Sequence, residues 1–301
     1  MNFLKKIFNT LNSVSESNKK TKKELEELKL LMGKSLIQNL KNASSLQEAE
    51  FKVFSQWGDD GIIQFLINNI NITSPYFVEF GVENYLESNT RFLLMNNNWS
   101  GLIMDGSASH MDFVKADSIY WRHDLTAKQA FVTAENINQL LDSENVPDKI
   151  GILHIDIDGN DYWVWKSINR VMADIVIVEY NSLFGPDRSI TIPYKADFYR
   201  TNAHYSNLFY GSSLLSLVDL AKEKGYAFVG CNSAGNNAYF VKNEKLGNLK
   251  SISAAQGFVL SKFKESRDEN GGLTFLRDNE RNKCIQNMEV YNTRTNTLEK
   301  Y

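Results

Sequence analysis

The sequence predicts an α/β fold: a mostly parallel sheet closed by one reversed strand. Three observations carry this. From Ser55 onward short apolar runs alternate with helical segments, the sign of strands covered by helices. Near the end, YAFVGCN and NNAYFVKN flank a Ser-Ala-Gly turn and read as a β-hairpin, which places an antiparallel strand at or near the sheet edge. The chain has 301 residues and is 43% hydrophobic, enough for one large domain with appendages.

The elements follow in order. MNFLKKIFNTLNSV spaces Phe3, Leu4, Ile7, Phe8 and Leu11 as one face of an amphipathic helix, with Lys5 and Lys6 beside it, suited to an anionic membrane surface. A polar SESNKKTKK stretch separates it from a second helix, which places Leu25, Leu28, Met32 and Leu36 on one stripe, too short for a coiled coil. SQWGDDG then leads into the helix IIQFLINNI, with Asp59 and Asp60 at its positive end. Strand PYFVEFGV, helix SNTRFLLMNN and strand SGLIMD come next, then a variable stretch to about Lys128. AFVTA reads as a short strand and ENINQLLDS as a helix; strand KIGILHIDI, helix YWVWKSINRVM and strand ADIVIVEYN complete five parallel strands. A long loop from Ser182 to about Tyr210 precedes a helix ending at Gly225, a good C-terminal cap, and the hairpin. Three regions result: a basic helical extension at 1–45, a domain at 46–246, and a polar extension at 247–301 packed on it.

Composition narrows the function. The net charge of -3 argues against a nucleic-acid partner, but its distribution is uneven: nine lysines stand against four glutamates in residues 1–45. That extension reads as an appended helix that packs on its own domain or on a twin subunit, with contact to the inner face of a membrane as the alternative. No apolar run is long enough to span a membrane and no cleavable leader is evident, so a cytoplasmic protein is expected. Cys231 and Cys284 lie far apart and read as structural thiols.

Ligands of such sheets lie at the carboxyl ends of the strands, and here those ends are acidic. Glu79-Phe80-Gly81 closes the first strand, Asp105 the second, Glu135-Asn136 follows AFVTA, and Asp156 closes the fourth. Acids accept hydrogen bonds from hydroxyl and amino groups and repel phosphates. Asp105 follows Glu79 at near the spacing that meets an adenosine ribose, while the only glycine after the first strand is Gly81, so pyrophosphate is not indicated.

KIGILHIDIDGNDYWVWKSI followed by ADIVIVEYN, supported by SQWGDDGII, FVEFGV, WSGLIMDGS and GYAFVGCNSAGNNAYFVKN, resembles the FkbM-like group of class I S-adenosylmethionine-dependent methyltransferases over roughly residues 53–243. The resemblance implies a Rossmann-like seven-stranded sheet with a reversed final strand and S-adenosyl-L-methionine as cofactor. It implies that Glu79 and Gly81 border the methionine, Asp105 the ribose, Glu135 and Asn136 the adenine, and that Asp156 faces sulfonium and substrate. The reaction implied is O-methylation of a sugar or polysaccharide precursor.

Two mechanisms fit HIDIDGNDYW. In one, Asp158 or Asp161 is a general base; in the other, Asp156 or Asp158 joins Glu179 and Asn181 to hold Mg²⁺ or Mn²⁺, whose oxygen ligands these are. Asp156 and Asp158 share a face if the strand continues, whereas Asp161 starts the next helix and His154 reads as a satisfied strand histidine. His123 and Asp124, and the loop residues Tyr194, Tyr199, His204 and Tyr205, are substrate-side candidates. Two rival readings stand beside this one: a glycosyltransferase using Asp156-Ile157-Asp158 as a D-x-D metal motif, and a non-catalytic scaffold of the same fold.

Overall fold

The computed structural model describes residues 2–277 and 279–301, with side chains from Lys5 onward. Helices α1 (Asn2–Ile37), α2 (Leu46–Ala49) and α3 (Asp59–Asn69) precede the first strand, β1 (Tyr76–Phe80). Then come α4 (Arg91–Asn97), β2 (Ser100–Asp105), α5 (Ala108–Ala116), α6 (Ser118–Arg122) and β3 (Leu125–Gln129). α7 (Ile137–Ser143), β4 (Lys149–Ile155), α8 (Asp161–Ser167) and β5 (Met172–Glu179) complete the parallel part. The long loop carries β6 (Ile190–Thr191) and α9 (Arg200–Ala203); α10 (Leu214–Glu223) and the hairpin β7 (Tyr226–Cys231) and β8 (Asn237–Lys242) follow. The chain ends with α11 (Ala254–Gly257), α12 (Asn279–Cys284), β9 (Glu289–Asn292) and β10 (Thr297–Lys300).

The large sheet has the order β3-β2-β1-β4-β5-β8-β7. Its first five strands are parallel, and β8 alone runs against its neighbours. This is the Rossmann-like, seven-stranded, singly reversed sheet that the resemblance implies. One face buries Phe80, Ile155, Trp165, Leu217 and Phe240 beneath α7, α8 and α10. The other buries Ile62, Leu66, Ile103, Ile175 and Tyr239 beneath α3, α5 and α6. Alternate residues of each strand therefore point into separate cores, and only the strand ends remain for a ligand.

Three expectations change. The third strand is LTAKQ, within the stretch read as variable, and AFVTA is a loop. In LTAKQ, Leu125 and Ala127 are buried between more exposed neighbours, a period-two pattern that two buried positions make faint. The N-terminal segments form one helix of 36 residues, about 54 Å long at 1.5 Å per residue. SESNKKTKK contains neither Gly nor Pro, and the pairs Lys20–Glu24 and Lys23–Glu27 stand one turn apart, so nothing in it stops a helix. On this helix Ile7, Phe8 and Leu11 are exposed; Phe3 and Leu4 lie outside the residues with described side chains. No described helix is long and apolar enough to cross a membrane. Finally, the C-terminal residues are more regular than expected. β9 pairs with β6 on one side and β10 on the other, a small second sheet over Leu183, Phe184, Ile190, Phe209, Ile285 and Val290.

Gly81 fixes the relation between the ends of β1 and β4. Its φ is +73°, and a Cβ there would lie 1.6 Å from the Asp156 carbonyl oxygen. Gly81→Ala should therefore lower unfolding free energy by more than about 3 kcal/mol, whereas Gly106→Ala, which meets nothing nearer than Phe131 at 3.4 Å, should change it by roughly 0.5 kcal/mol or less. Urea titration of both variants checks the contrast.

Candidate active site

A cavity of about 1450 Å³ opens at the carboxyl ends of β1, β4, β5 and at the start of β8. Its floor is acidic and amide-rich: Asp59, Asp156, Glu179, Asn236 and Asn237. Asp59 comes from the first turn of α3, Glu179 ends β5, and Asn237, its register partner, starts β8. The reversed strand thus brings a hairpin amide beside an acid of the parallel sheet. Asp59, Asn236 and Asn237 are site residues that strand-end reasoning misses, since none ends a parallel strand; the quoted segments SQWGDDG and SAGNN contain them.

Burial sets the charge of this floor. Asp156, half-buried where the floor opens to the cavity, and Glu179 lie near one another, so ionising both at once is disfavoured. Burial, then the nearby Asp158 charge, pushes Asp156 up to about 7. Burial, then Asp156, holds Glu179 well above the carboxylate range. Among the described residues three buried acceptors on this floor have no hydrogen-bond partner: Asp59 Oδ2, Glu179 Oε2 and Asn237 Oδ1. Their counterparts are otherwise occupied, Asp59 Oδ1 accepting from Asn232 Nδ2 at 3.0 Å, Asn237 Nδ2 at 2.9 Å and the Tyr239 hydroxyl. Unpaired buried acceptors are costly, roughly 1–3 kcal/mol each, and the three residues that carry them line the cavity.

The wall between β1 and α4 is organised by Glu79. This buried carboxylate accepts from the Ser88 and Thr90 hydroxyls, from the Asn89 and Thr90 backbone N–H groups at 3.0 and 3.1 Å, and from His154 Nδ1 at 2.9 Å. Although burial opposes ionisation, His154, Ser88 and Thr90 hold Glu79 below the usual carboxylate range. His154 is satisfied in turn by Asn89, 3.2 Å from Nε2. Glu79 borders the cavity with Gly81, but its carboxylate already has five donors.

Other expected roles are rearranged. Asp158 does not share a face with Asp156: β4 ends at Ile155, Asp158 adopts φ +56°, and its exposed carboxylate meets Arg200 Nη1 at 2.5 Å. Arg200 itself lies over the Tyr210 ring, 3.9 Å from the centroid. Asp161, fully buried at the start of α8, accepts the Ile157 and Gly159 N–H groups at 2.8 and 2.9 Å, and burial pushes it up to about 6. Asn181 is no metal ligand here, because its amide donates to the Leu208 and Tyr210 carbonyls and its oxygen accepts the Leu183 N–H. Among the described residues no three His, Cys, Asp or Glu converge as a metal set, so Asp156, Asp158, Glu179 and Asn181 do not form the expected Mg²⁺ or Mn²⁺ site. Arg200, 2.5 Å from the Asp158 carboxylate, occupies the second acid of the D-x-D motif.

Asp105 lies behind the cavity wall. Its carboxylate accepts the Glu83 N–H at 2.9 Å and the Ser107 N–H at 2.8 Å. Glu135 and Asn136 lie away from the cavity because β3 ends earlier than expected, at Gln129. Glu135 accepts the Tyr194 hydroxyl, and Asn136 braces its own turn through the Thr133 N–H and Phe131 carbonyl. Tyr199 stacks on Phe131, His204 packs on Tyr205, and neither pair nor His123 and Asp124 line the cavity. The aromatic pair that does line it is Trp57 and Phe263, stacked 6.0 Å apart and 16° from parallel.

No protein-family model matches the chain, and no curated protein does. Solved structures to which it is similar include an O-methyltransferase from Bacillus cereus in complex with SAH, 14% identical over 70% of this chain and 90% of that one, with a TM-score of 0.39. Another is the N-terminal domain of EvdMO1 with SAH bound, 9% identical over 69% and 94%, TM-score 0.40. Geranyl diphosphate C-methyltransferase from Streptomyces coelicolor A3(2) is 13% identical over 57% and 61%, TM-score 0.35. Likenesses this distant assign no residue a role.

The floor makes a pH prediction. A carboxyl whose folded pKa lies above its unfolded value binds an extra proton when folded, so its contribution is present below about pH 4 and is lost as pH rises through about 7. Between pH 5 and 8 the wild type should lose stability more steeply than Asp156→Asn. Chemical unfolding at both pH values measures this, and parallel slopes would show that Asp156 is not the titrating group.

Proposed function

We propose that the chain is an S-adenosylmethionine-dependent O-methyltransferase whose acceptor is a hydroxyl of a sugar or polysaccharide precursor. The observation that carries the reading is an acid-floored cavity at the carboxyl ends of β1, β4 and β5 in a seven-stranded, singly reversed sheet. The cofactor fits the chemistry of the cavity: it brings a sulfonium, an ammonium and ribose hydroxyls, all suited to acceptors and poorly suited to a phosphate cradle. Gly81, Val82, Asn84, Asn89 and Asp156 line the end of the cavity at β1 and β4 and would hold it. Asp105 Oδ1 meets both the Ser107 N–H and His110 Nδ1, 3.4 Å away, whereas Oδ2 accepts only the Glu83 N–H and keeps a lone pair for a ribose hydroxyl.

When bound, the cofactor supplies an electrophilic methyl group. The protein's own residues align the acceptor and manage its proton. Asp156, poised near neutrality, accepts the hydroxyl proton as general base. Glu179 remains protonated beside it and keeps the pair from carrying two charges. Arg200 holds Asp158 at the rim, where its carboxylate adds to the field that favours a cationic ligand. The acceptor's carbohydrate character is supported by the Trp57–Phe263 stack, whose apolar faces suit sugar C–H groups, beside the unpaired acceptors of the floor.

Calorimetry should detect binding of S-adenosylhomocysteine by the full chain; its absence would overturn the reading. Asp156→Asn should lower the rate of methyl transfer by about 10²–10⁴-fold with the acceptor KM changed far less. Chelation should leave turnover unchanged, and abolition by EDTA would restore the metal mechanism.

A further inference from the structure

The wall opposite the acid floor has the other sign. α1 sends Lys19, Lys22, Glu26 and Lys29 into the cavity at spacings of three, four and three, which is one stripe of a helix. Glu26 is neutralised by Arg91 Nη2 at 2.6 Å, and Arg91 is only 3% exposed. Among the described residues Lys19, Lys22 and Lys29 have no carboxylate within 4 Å, whereas Lys20 and Lys23, off the stripe centre, pair with Glu24 and Glu27. Arg122 reaches the same mouth from α6. Lys23 and Lys52 line the cavity too but pair with Glu27 and Glu87, and Arg200 pairs with Asp158, which leaves Lys19, Lys22, Lys29 and Arg122 as the lining cations without a carboxylate partner among the described residues.

The two poles differ in what they attract. Asp59, Glu179 and Asn237 offer unpaired acceptors beside the Trp57–Phe263 stack, a setting for the hydroxyls and apolar face of a sugar ring. The lysine stripe offers point charges for an anion, and ammonium groups without internal partners are natural phosphate binders. The cavity is also large, since sites for one small molecule usually occupy about 300–1,000 Å³. It has room for a cofactor and an extended acceptor together.

From this juxtaposition we infer that the acceptor is a phosphate-bearing sugar, most simply a diphosphate-linked one, with its ring against Trp57 and Asp59 and its phosphates on Lys19, Lys22 and Lys29. The inference rests on the methyltransferase reading for the name acceptor only. The binding it describes is measured separately. A nucleotide and a lipid both supply a sugar diphosphate, so the same chemistry has two sources.

The test is calorimetry on the full chain with uridine diphosphate glucose, galactose and N-acetylglucosamine, glucose 1-phosphate, glucose, pyrophosphate, and farnesyl diphosphate glucose in detergent. At least one diphosphate-linked sugar should bind tenfold or more tighter than both glucose and pyrophosphate, and more weakly as salt rises. Preference for the farnesyl over the uridine form, or the reverse, identifies the source. Lys22→Glu with Lys29→Glu should weaken that ligand at least tenfold. Trp57→Ala should weaken it similarly and leave pyrophosphate unchanged. Asp59→Asn, which keeps Oδ1 for Asn232, Asn237 and Tyr239 while turning the unpaired acceptor into a donor, should also weaken it. Equal affinity for pyrophosphate and the sugar diphosphates, no binding of any probe, or wild-type affinity in the lysine variant would overturn the inference. S-adenosylhomocysteine is titrated in parallel, so failure of cofactor binding is read apart from failure of the sugar diphosphate.

Discussion

The carboxylate of Glu79 is the point on which the site is built. It lies one residue before the end of β1, almost wholly buried at the edge of the cavity, so its charge is sustained by the five donors that converge on it. Those donors come from the loop Ser88–Thr90 and from His154 on the adjacent strand. One buried charge therefore ties the cavity wall to β4. The next residue, Arg91, carries the constraint outward: Nη1 donates to the Tyr85 carbonyl at 3.2 Å, and Nη2 pairs with Glu26 of α1. A helix that reads in isolation as an appendage thus has its lysine stripe positioned by a carboxylate at the sheet centre. Removing one member of such a chain leaves the others buried without partners, which is why its effect exceeds that of any single hydrogen bond.

The acids near Asp156 show how alike causes lead to different uses. Burial raises Asp60, Asp156, Asp161 and Glu179 alike. Asp60 Oδ2 gathers the Val53, Phe54 and Ser55 N–H groups and the Ser55 hydroxyl, and Asp161 fastens the turn after β4. These are structural clamps: both Asp161 oxygens accept an N–H and Asp60 Oδ2 takes four donors, although Asp60 Oδ1 is buried without one among the described residues. Asp156 and Glu179 instead face one another and the cavity. Location within a web of donors, more than the size of a pKa shift, separates a clamp from a reactive group.

Much of the fold was legible because its strands are long apolar runs, and period and length suffice for those. Asp161 at a helix start and His154 as a satisfied strand residue follow from local spacing. What stayed hidden depends on events at single residues. The strand LTAKQ has only two buried positions, so its pattern is no stronger than that of the loop AFVTA after it. Asp158 leaves the strand face because of one left-handed φ, which residue type does not announce for Asp. Asn181 looks like a ligand in sequence, yet two loop carbonyls some thirty residues away claim its amide. Asp59 and Asn237 meet only because β8 inserts between β5 and β7, a tertiary fact.

The same reasoning explains how the loop after β1 manages with a single glycine. Left-handed conformations occur at Gly81, Glu83 and Tyr85, with φ of 73°, 46° and 63°. For Glu83 and Tyr85 this costs roughly 1–2 kcal/mol each. Compensation is visible at both. Tyr85 is completely buried and its hydroxyl lies 3.0 Å from Thr90 Oγ1, a burial that contributes about 1.5–3 kcal/mol. The Glu83 N–H is held by Asp105, the acid that ends β2. A turn that glycines would make freely is here made by side-chain anchors. Its shape is therefore coupled to Asp105 on one side and to the Glu79 web through Thr90 on the other, so a ligand that draws on Asp105 acts on the same loop that lines the cavity.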